Sequence, residues 1–188
     1  NIDPSKRFLL QSDYDAFAKD KHNLDDFFKT EELKFYRTTV DTMLIRINEA
    51  EKYALDILEK PFDFNKKEDL ILDPKVQSFA KNKAELKELW RKYLKYNVML
   101  EITSMQDDLE GKKSNDSIDI ASEEKEVKIT KDTPFAEIEK IAREDVKDLI
   151  ADYFRRLKKR KRSTYFTIYV NAHTELYDPH TTYFSPTD

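Results

Sequence analysis

The 188-residue chain contains one glycine, Gly111, and no cysteine. An average domain of this length carries roughly 13 glycines, so the composition argues against folds with many positive-φ turns and excludes glycine-rich phosphate loops. The lack of cysteine excludes disulfides, cysteine-ligated zinc, iron–sulfur clusters and a thiol nucleophile. The net charge is −4, yet seven positive charges fall within eight residues, at Arg155, Arg156, Lys158, Lys159, Arg160, Lys161 and Arg162. The remainder therefore carries −11, which indicates an acidic protein and not a basic nucleic-acid binder.

The chain is long enough for one full-size core or two small ones. With 12 phenylalanines and 10 tyrosines it is too aromatic to be disordered. No apolar run approaches the roughly 18 residues that a bilayer span needs. Residue 1 is Asn, so we expect the sequence to be a segment of a longer protein, with any targeting sequence removed.

The first 20 residues predict a turn followed by a helix. Asp3-Pro4 favours an extended or turn conformation. Ser12 or Asp13 is the expected N-cap of the helix. The candidate apolar contacts that follow are Phe17, Leu24, Phe27 and Phe28.

The clearest periodic segment comes next and reads as a heptad seam. Its apolar positions are Leu33, Tyr36, Val40, Met43, Ile47, Ala50, Ala54 and Ile57. Thr30 begins the predicted helix and Pro61 ends it. The seam is short and contains tyrosine and two alanines, so it favours the buried face of an intramolecular bundle over an intermolecular coiled coil.

Residues 61–80 predict a loop with a short helix, and 82–110 predict a second long helix. The apolar set of that helix is wide, which indicates burial on more than one side. Its members are Leu86, Leu89, Trp90, Tyr93, Leu94, Val98, Leu100, Met105 and Leu109.

The polar stretch 111–131 loses the helical period and predicts a mobile loop. Thr133 is the expected N-cap of the next helix, with Pro134 in its first position. The apolar face of that helix is predicted to contain Phe135, Ile138, Ala142, Val146, Leu149, Tyr153 and Leu157. The seven cations at 155–162, called the basic block below, end this helix, and positive charge at a helix C-terminus interacts favourably with the helix dipole. Residues 163–177 fit either a strand, by their β-branched and aromatic content, or a helix face.

Candidate chemistry is sparse. His173, Glu175, Asp178 and His180 match no helix-borne metal motif, and surface or turn roles are favoured for them. Asp178, His180 and Ser185 have the residue types of a hydrolytic triad but lie on one short strip and cannot easily converge. We therefore expect no catalytic, cofactor-binding or metal-binding residue in this chain.

The basic block leaves one alternative open. It could bind nucleic acid or an anionic membrane surface, because Tyr165 and Phe166 follow it as stacking candidates. A solvated helix end is favoured instead, since the rest of the chain would repel a polyanion.

Three segments, in order, resemble one family. The strip 176–186, LYDPHTTYFSP, is similar to a motif of the tail-specific, or carboxy-terminal processing, serine proteases. The opening residues 1–17 and the stretch 88–95, ELWRKYLK, resemble the helical region that precedes the PDZ and protease core in that family.

The resemblance implies an all-α N-terminal helical domain at 1–176, with helix at 163–176, and a linker at 177–188 into a PDZ and protease core. The residues of this linker motif are Asp178, Pro179, His180, Thr181, Tyr183, Phe184, Ser185 and Pro186. Tyr183 and Phe184 are expected to anchor it to the next domain. The domain would scaffold the protease core and shape substrate or adaptor access.

The resemblance also implies properties of the parent enzyme. That enzyme would be a periplasmic endopeptidase with a Ser/Lys dyad downstream of this chain. Its expected partners are the PDZ and protease domains of the same chain, protein substrates with apolar C-termini, and an adaptor protein. No cofactor and no nucleic acid are expected, and membrane association is expected only through a targeting sequence.

Overall fold

The computed structural model describes residues 2–20, 33–111, 129–178 and 180–185. Five helices and no strand occur in these ranges: α1 (Gln11–Ala18), α2 (Lys34–Leu58), α3 (Lys83–Leu109), α4 (Phe135–Lys158) and α5 (Arg162–Tyr177). The predicted all-α class is confirmed. None of the described helices is long and apolar enough to cross a membrane. The predictions for 21–32, and for 112–128 of the polar loop, lie outside the described residues.

Helix α2 is the centre of the fold, because α1, α3, α4 and α5 all pack against it. The predicted seam is confirmed as a face buried within one bundle, and its buried residues are Tyr36, Val40, Met43, Ile47, Ala50, Ala54 and Leu58. The last position differs from the prediction, since Leu58 is buried and Ile57 only half-buried. An α-helix has about 3.6 residues per turn and a heptad repeat about 3.5, so the buried face of a straight helix moves gradually away from the heptad positions. At the end of α2 this shift amounts to one residue.

Helix α3 begins as predicted and buries a narrower face. The Asn82 side chain caps it by accepting the Glu85 N–H at 2.9 Å. The buried residues recur every four positions, at Leu86, Trp90, Leu94, Val98 and Ile102. Leu100 is 46% exposed, so its predicted burial is wrong. The i+4 spacing forms one line along the helix, which packs towards α2 and α4.

Helix α4 starts one residue later than predicted. The Pro134 carbonyl accepts the first helical bond, from the Ile138 N–H at 3.2 Å, which makes Pro134 the N-cap. The Thr133 hydroxyl instead accepts the Thr130 N–H at 2.8 Å. The threonine therefore closes the turn before the helix and does not cap the helix.

The buried face of α4 also differs from the prediction. Phe135, Leu149 and Tyr153 are exposed, whereas Phe154 is fully buried. The Phe154 ring lies 5.6 Å from that of Trp90 and 6.4 Å from that of Phe8. The N-terminal segment, residues 2–10, supplies Phe8 and covers this side of α4. Helical periodicity alone cannot show this contact.

The N-terminal segment is held by a buried carboxylate. Asp3 is 1% exposed and accepts the N–H groups of Phe8 and Leu9 at 2.9 and 2.8 Å. The Trp90 indole N–H donates to the Arg7 carbonyl at 2.8 Å. These bonds fix a turn at the segment's start, as Asp3-Pro4 predicts, and attach it to α3.

Helix α1 begins at Gln11, so the predicted N-cap at Ser12 or Asp13 is wrong. Leu10 occupies the N-cap position, and the Asp13 carboxylate accepts its N–H at 2.9 Å. Asp13 also pairs with Arg46 of α2 at 2.8 Å. Burial raises the pKa of Asp13, but the hydrogen bonds from Arg46 and Leu10 outweigh it and hold this pKa below its usual value.

Residues 61–80 form turns, and the short helix predicted there is wrong. Glu68 ties this segment to α3 through ion pairs with Arg91 and, at 2.8 Å, Lys95. Ala80 closes the segment, where its carbonyl accepts the Gln11 N–H at 2.8 Å. Side-chain pairs to α3 thus fix a stretch that has little regular backbone bonding of its own.

Candidate interaction surfaces

Helix α5 confirms the helix that the family resemblance implies for 163–176, against local strand propensity. Among the described helices it packs only on α2. Tyr36, Val40 and Tyr165 form a small hydrophobic cluster there, separate from the main core around α2, α3, α4 and the N-terminal segment. An open groove lies between these two clusters.

This aromatic groove has a volume of about 680 Å³, within the range of ligand sites. One wall comes from the N-terminal segment, α1 and residues 75–79, and the other from α2 and α5. Among the described residues, the aromatic side chains of its lining are Tyr14, Phe17, Phe35, Tyr36, Phe79, Tyr165 and Tyr169. Ring contacts order this lining: the Phe17 and Phe35 centroids are 6.3 Å apart, and Tyr14 stacks on Phe79 at 5.3 Å.

Two residues that line the groove have hydroxyl groups that are covered by protein and unsatisfied within the described residues. The Tyr36 hydroxyl donates to the Arg162 carbonyl at 2.7 Å. By contrast, Thr39 Oγ1 and Tyr165 Oη have no hydrogen-bond partner among the described residues. Burial raises the pKa of Tyr165 above its usual value. A buried hydroxyl without a partner costs free energy, so these two groups lower the stability of the packing around them.

The described part of the groove lining is locally positive. It contains Lys6 and Lys75, and no Asp or Glu among the described residues. The Lys6 ammonium donates to the Gln77 carbonyl at 2.5 Å and lies 5.7 Å from the Phe79 ring centroid. Lys75 is exposed and forms no ion pair within the described part of the chain.

The predicted basic block runs from the last turn of α4 through residues 159–161 to Arg162, the first residue of α5. Within the described part of the chain, Lys158 pairs with Glu51 at 2.7 Å, Arg162 with Asp41 at 2.5 Å, and Arg155 with Asp152 at 2.6 Å. Arg156, Lys159 and Arg160 are exposed. The block therefore partly serves to attach α4 and α5 to α2. Its binding to nucleic acid or an anionic membrane stays a prediction.

The linker strip folds back on α5. The Asn171 amide donates to the Tyr183 carbonyl at 3.2 Å and accepts its N–H at 2.7 Å. The Tyr183 ring meets that of Phe166 edge-on at 6.1 Å. Phe184, in contrast, is 81% exposed. Tyr183 thus packs on its own domain, and only Phe184 of this aromatic pair faces outward.

Asp178 begins the strip with a local turn. Its carboxylate accepts the His180 N–H at 2.9 Å and the Thr181 hydroxyl at 2.7 Å, and these bonds hold its pKa below the usual value. Ser185 is half-buried, while Pro179 and Pro186 lie outside the described residues. The described residues 180–185 form no helix or strand, as the sequence predicts, and the role of the strip as a linker into a further domain stays a prediction.

The histidine candidates play structural roles in the described part of the chain. The His173 ring lies 4.8 Å from that of Tyr169, in an edge-on contact on α5. His180 donates its backbone N–H to the Asp178 turn. No group of three or more His, Cys, Asp or Glu within the described ranges is arranged to hold a metal ion.

The aromatic groove itself was not predicted from the sequence. Its lining comes from four separate stretches of the chain, which no local pattern brings together. The available signal was the aromatic content of two separate stretches, with Phe35 and Tyr36 in one and Tyr165 and Tyr169 in the other. Only the packing of α5 across α2 reveals that they face one space.

Comparison with known proteins agrees with the resemblance. The family model described as the tail specific protease N-terminal domain matches residues 1–187, and the chain belongs to this family. The chain is also similar to the tail-specific protease of Haemophilus influenzae, at 26% identity over 192 residues. That alignment covers 99% of this chain and 22% of the relative, so the chain spans about one fifth of the relative's length.

Proposed function

We propose that this chain is a non-catalytic helical domain that packs on the protease part of a longer enzyme and shapes access of substrates or an adaptor. One observation carries the proposal. The family match runs over 1–187, nearly the whole chain, while the chain corresponds to only 22% of a full tail-specific protease. The remaining length of such a relative leaves room for separate catalytic domains.

Uncovered apolar surface supports this role. Ile71, Leu72 and Val76 are 50, 55 and 64% exposed on the segment between α2 and α3. Phe184 is exposed at the end of the strip. Large exposed apolar side chains grouped in one segment mark a surface that another protein surface covers. In this proposal the adjoining surface belongs to the protease part of the same polypeptide.

The proposal extends to the parent enzyme. It is a serine endopeptidase whose Ser/Lys dyad follows this domain, and it acts in the periplasm on proteins with apolar C-termini that a PDZ domain recognises. Membership of the tail-specific protease family supports each of these properties. In this proposal, the exposed apolar residues of this chain contact the protease part of the parent enzyme.

Deletion of 1–176 from the full-length enzyme tests the role directly. Cleavage of a short unstructured peptide should persist, whereas turnover of a folded protein with an apolar C-terminus should fall. Unchanged turnover of the folded substrate by a correctly folded deletion variant would contradict the proposal. The purified 188-residue chain, incubated with the same substrates, should cleave neither.

A surface variant separates contact from folding. Ile71→Ser combined with Leu72→Ser, in the full-length enzyme, should weaken turnover of the folded substrate without unfolding this domain. Ile45→Ser is a matched control, because Ile45 is 59% exposed on another face and lies outside that segment. Equal effects of the two variants would argue against a contact at Ile71 and Leu72.

A further inference from the structure

Residues 67–73, called the edge segment below, lie beside α3 and run without a turn, bend or helix. They are attached to α3 by the ion pairs described above and by the Lys92 ammonium, which donates to the Asp69 carbonyl at 3.1 Å. At the end of the segment the Asp73 carboxylate accepts the Lys75 N–H at 2.9 Å, where a turn begins. The edge segment is therefore fixed towards both ends.

The middle of the edge segment has unpaired backbone groups. Neither the N–H nor the carbonyl of Leu70, Ile71 or Leu72 forms a hydrogen bond within the described part of the chain. Leu70 is half-buried, and the side chains of Ile71 and Leu72 are exposed. A row of unpaired N–H and carbonyl groups beside exposed apolar side chains is the feature with which a further strand pairs.

The contact with α3 selects one side of this row. In an extended chain the backbone groups of successive residues point to opposite edges. Because the Asp69 carbonyl meets Lys92, the backbone groups of Ile71 belong to the same edge as those of Asp69. Leu70 and Leu72 then direct their N–H and carbonyl groups to the opposite edge, where a partner strand can reach them.

We propose that an extended strand from the protease part of the same polypeptide pairs with the backbone of Leu70 and Leu72. An extended peptide backbone has donors and acceptors that alternate at the spacing of this edge. The chain spans about one fifth of its relative's length, so the larger part of such a polypeptide can supply the strand. The inference rests on the proposed function and names how the two parts are joined.

A strand of the same polypeptide fits this edge better than a second copy of the chain or a passing substrate. Uncovered apolar edges pair with other molecules and aggregate, so proteins cover them or place charges on them. Asp69 and Asp73 flank the edge, but residues 70–72 are all apolar. A strand of the same polypeptide is present at high effective concentration and covers the edge before another molecule can.

Hydrogen exchange at single amides tests the pairing. Mass spectrometry with electron-transfer fragmentation compares the 188-residue chain with the full-length enzyme. The Leu70 and Leu72 amides should exchange about 100-fold more slowly in the full-length enzyme, and the Ile71 amide should change much less, because it lies at the other edge. Unchanged exchange at Leu70 and Leu72, or equal slowing of all three amides, would overturn the proposal.

Proline substitutions separate backbone pairing from side-chain contact. Leu72→Pro deletes an N–H on the proposed edge, and Ile71→Pro, the matched control, deletes one on the other edge. Neither N–H has a partner in the described structure, so both variants should keep the slow exchange of α2. In the full-length enzyme, Leu72→Pro should speed exchange at Leu70 by about 10-fold or more, and Ile71→Pro much less. Equal effects of the two prolines would contradict the edge assignment.

Other sources of the strand give different results. Slowing in the 188-residue chain that appears only as its concentration rises would assign the edge to a second copy. Slowing in the full-length enzyme that appears only after unfolded casein is added would assign the edge to a substrate. Either result refutes pairing within one polypeptide.

The outcome is separable from that of the domain deletion. Unprotected Leu70 and Leu72 amides together with an impaired deletion variant refute the strand pairing alone. Protection of both amides together with an unaffected deletion variant refutes the proposed role in substrate access and leaves the strand pairing in place.

Discussion

Asp3→Asn should destabilise the chain strongly for a substitution that changes so few atoms. The Asp3 carboxylate accepts three backbone N–H groups: those of Phe8 and Leu9 at one oxygen, and that of Arg7 at 3.2 Å at the other. Asparagine has one acceptor oxygen. If this oxygen keeps the bonds to Phe8 and Leu9, the side-chain amide then points donors at the Arg7 N–H.

The magnitude follows from these bonds. Losing the charge on the two retained hydrogen bonds costs about 1 kcal/mol each, and the third N–H, facing another donor, adds about 1 kcal/mol. We therefore expect the free energy of unfolding to fall by about 3 kcal/mol. For a chain of this size that corresponds to a fall in Tm of about 6 to 12 °C.

Urea unfolding of both proteins, followed by circular dichroism and by Trp90 fluorescence, measures this change. Trp90 is a direct reporter, because its indole donates to the carbonyl of the same N-terminal segment. Asp132→Asn is the control, since Asp132 is exposed, and it should change the free energy of unfolding by less than about 0.5 kcal/mol. A loss below about 1 kcal/mol for Asp3→Asn would refute the anchoring role of Asp3.

Three further changes test other parts of the structure. Phe154→Ala should lower the free energy of unfolding by about 3 to 5 kcal/mol in a denaturant titration. Leu149→Ala, at a half-exposed position, should lower it by less than about 1 kcal/mol. Similar losses for the two variants would contradict the buried face assigned to α4. The hydrogen bond from Arg91 holds the pKa of Glu68 well below its ordinary 4.5, so Glu68 stabilises the fold above that pH and this contribution is lost as the pH falls below 4.5. Glu68→Gln should therefore lower the Tm at pH 7 and make the Tm less dependent on pH in acid. An unchanged slope of Tm against pH between about pH 5 and pH 3, on either side of the ordinary pKa, would count against the ion cluster. Asn171→Ala should speed hydrogen exchange in the strip around Tyr183 with a loss of about 1 to 2 kcal/mol confined to that region; faster exchange throughout the bundle would argue against a local role.

How far the sequence predicts this fold depends on where each residue's partners lie. The α2 seam is correct from Tyr36 to Ala54, because a long helix between two others repeats its contacts every turn. Leu149 is exposed although it is predicted to be buried, and Phe154 is buried instead. The reason is that Phe8, far away in the sequence, packs on α4 beside Phe154. Local propensity fails for 163–176, where packing on α2 overrides the strand preference of β-branched and aromatic residues.

The candidate site is predicted less well than the helices. The basic block and the linker strip are visible as residue runs, so their places at the end of α4 and after α5 follow from the sequence. The aromatic groove is the space left between the main core and the small hydrophobic cluster of α2 and α5. Such a gap is a property of how helices cross, and no single segment encodes it.

The attachment of α5 has a mechanical consequence. This helix meets the rest of the described domain through one small cluster on α2, while the main core is shared by three long helices and the N-terminal segment. A pull that arrives through the strip at residue 185 therefore loads α5 first. We expect α5 to detach as a unit at forces that leave the main core folded.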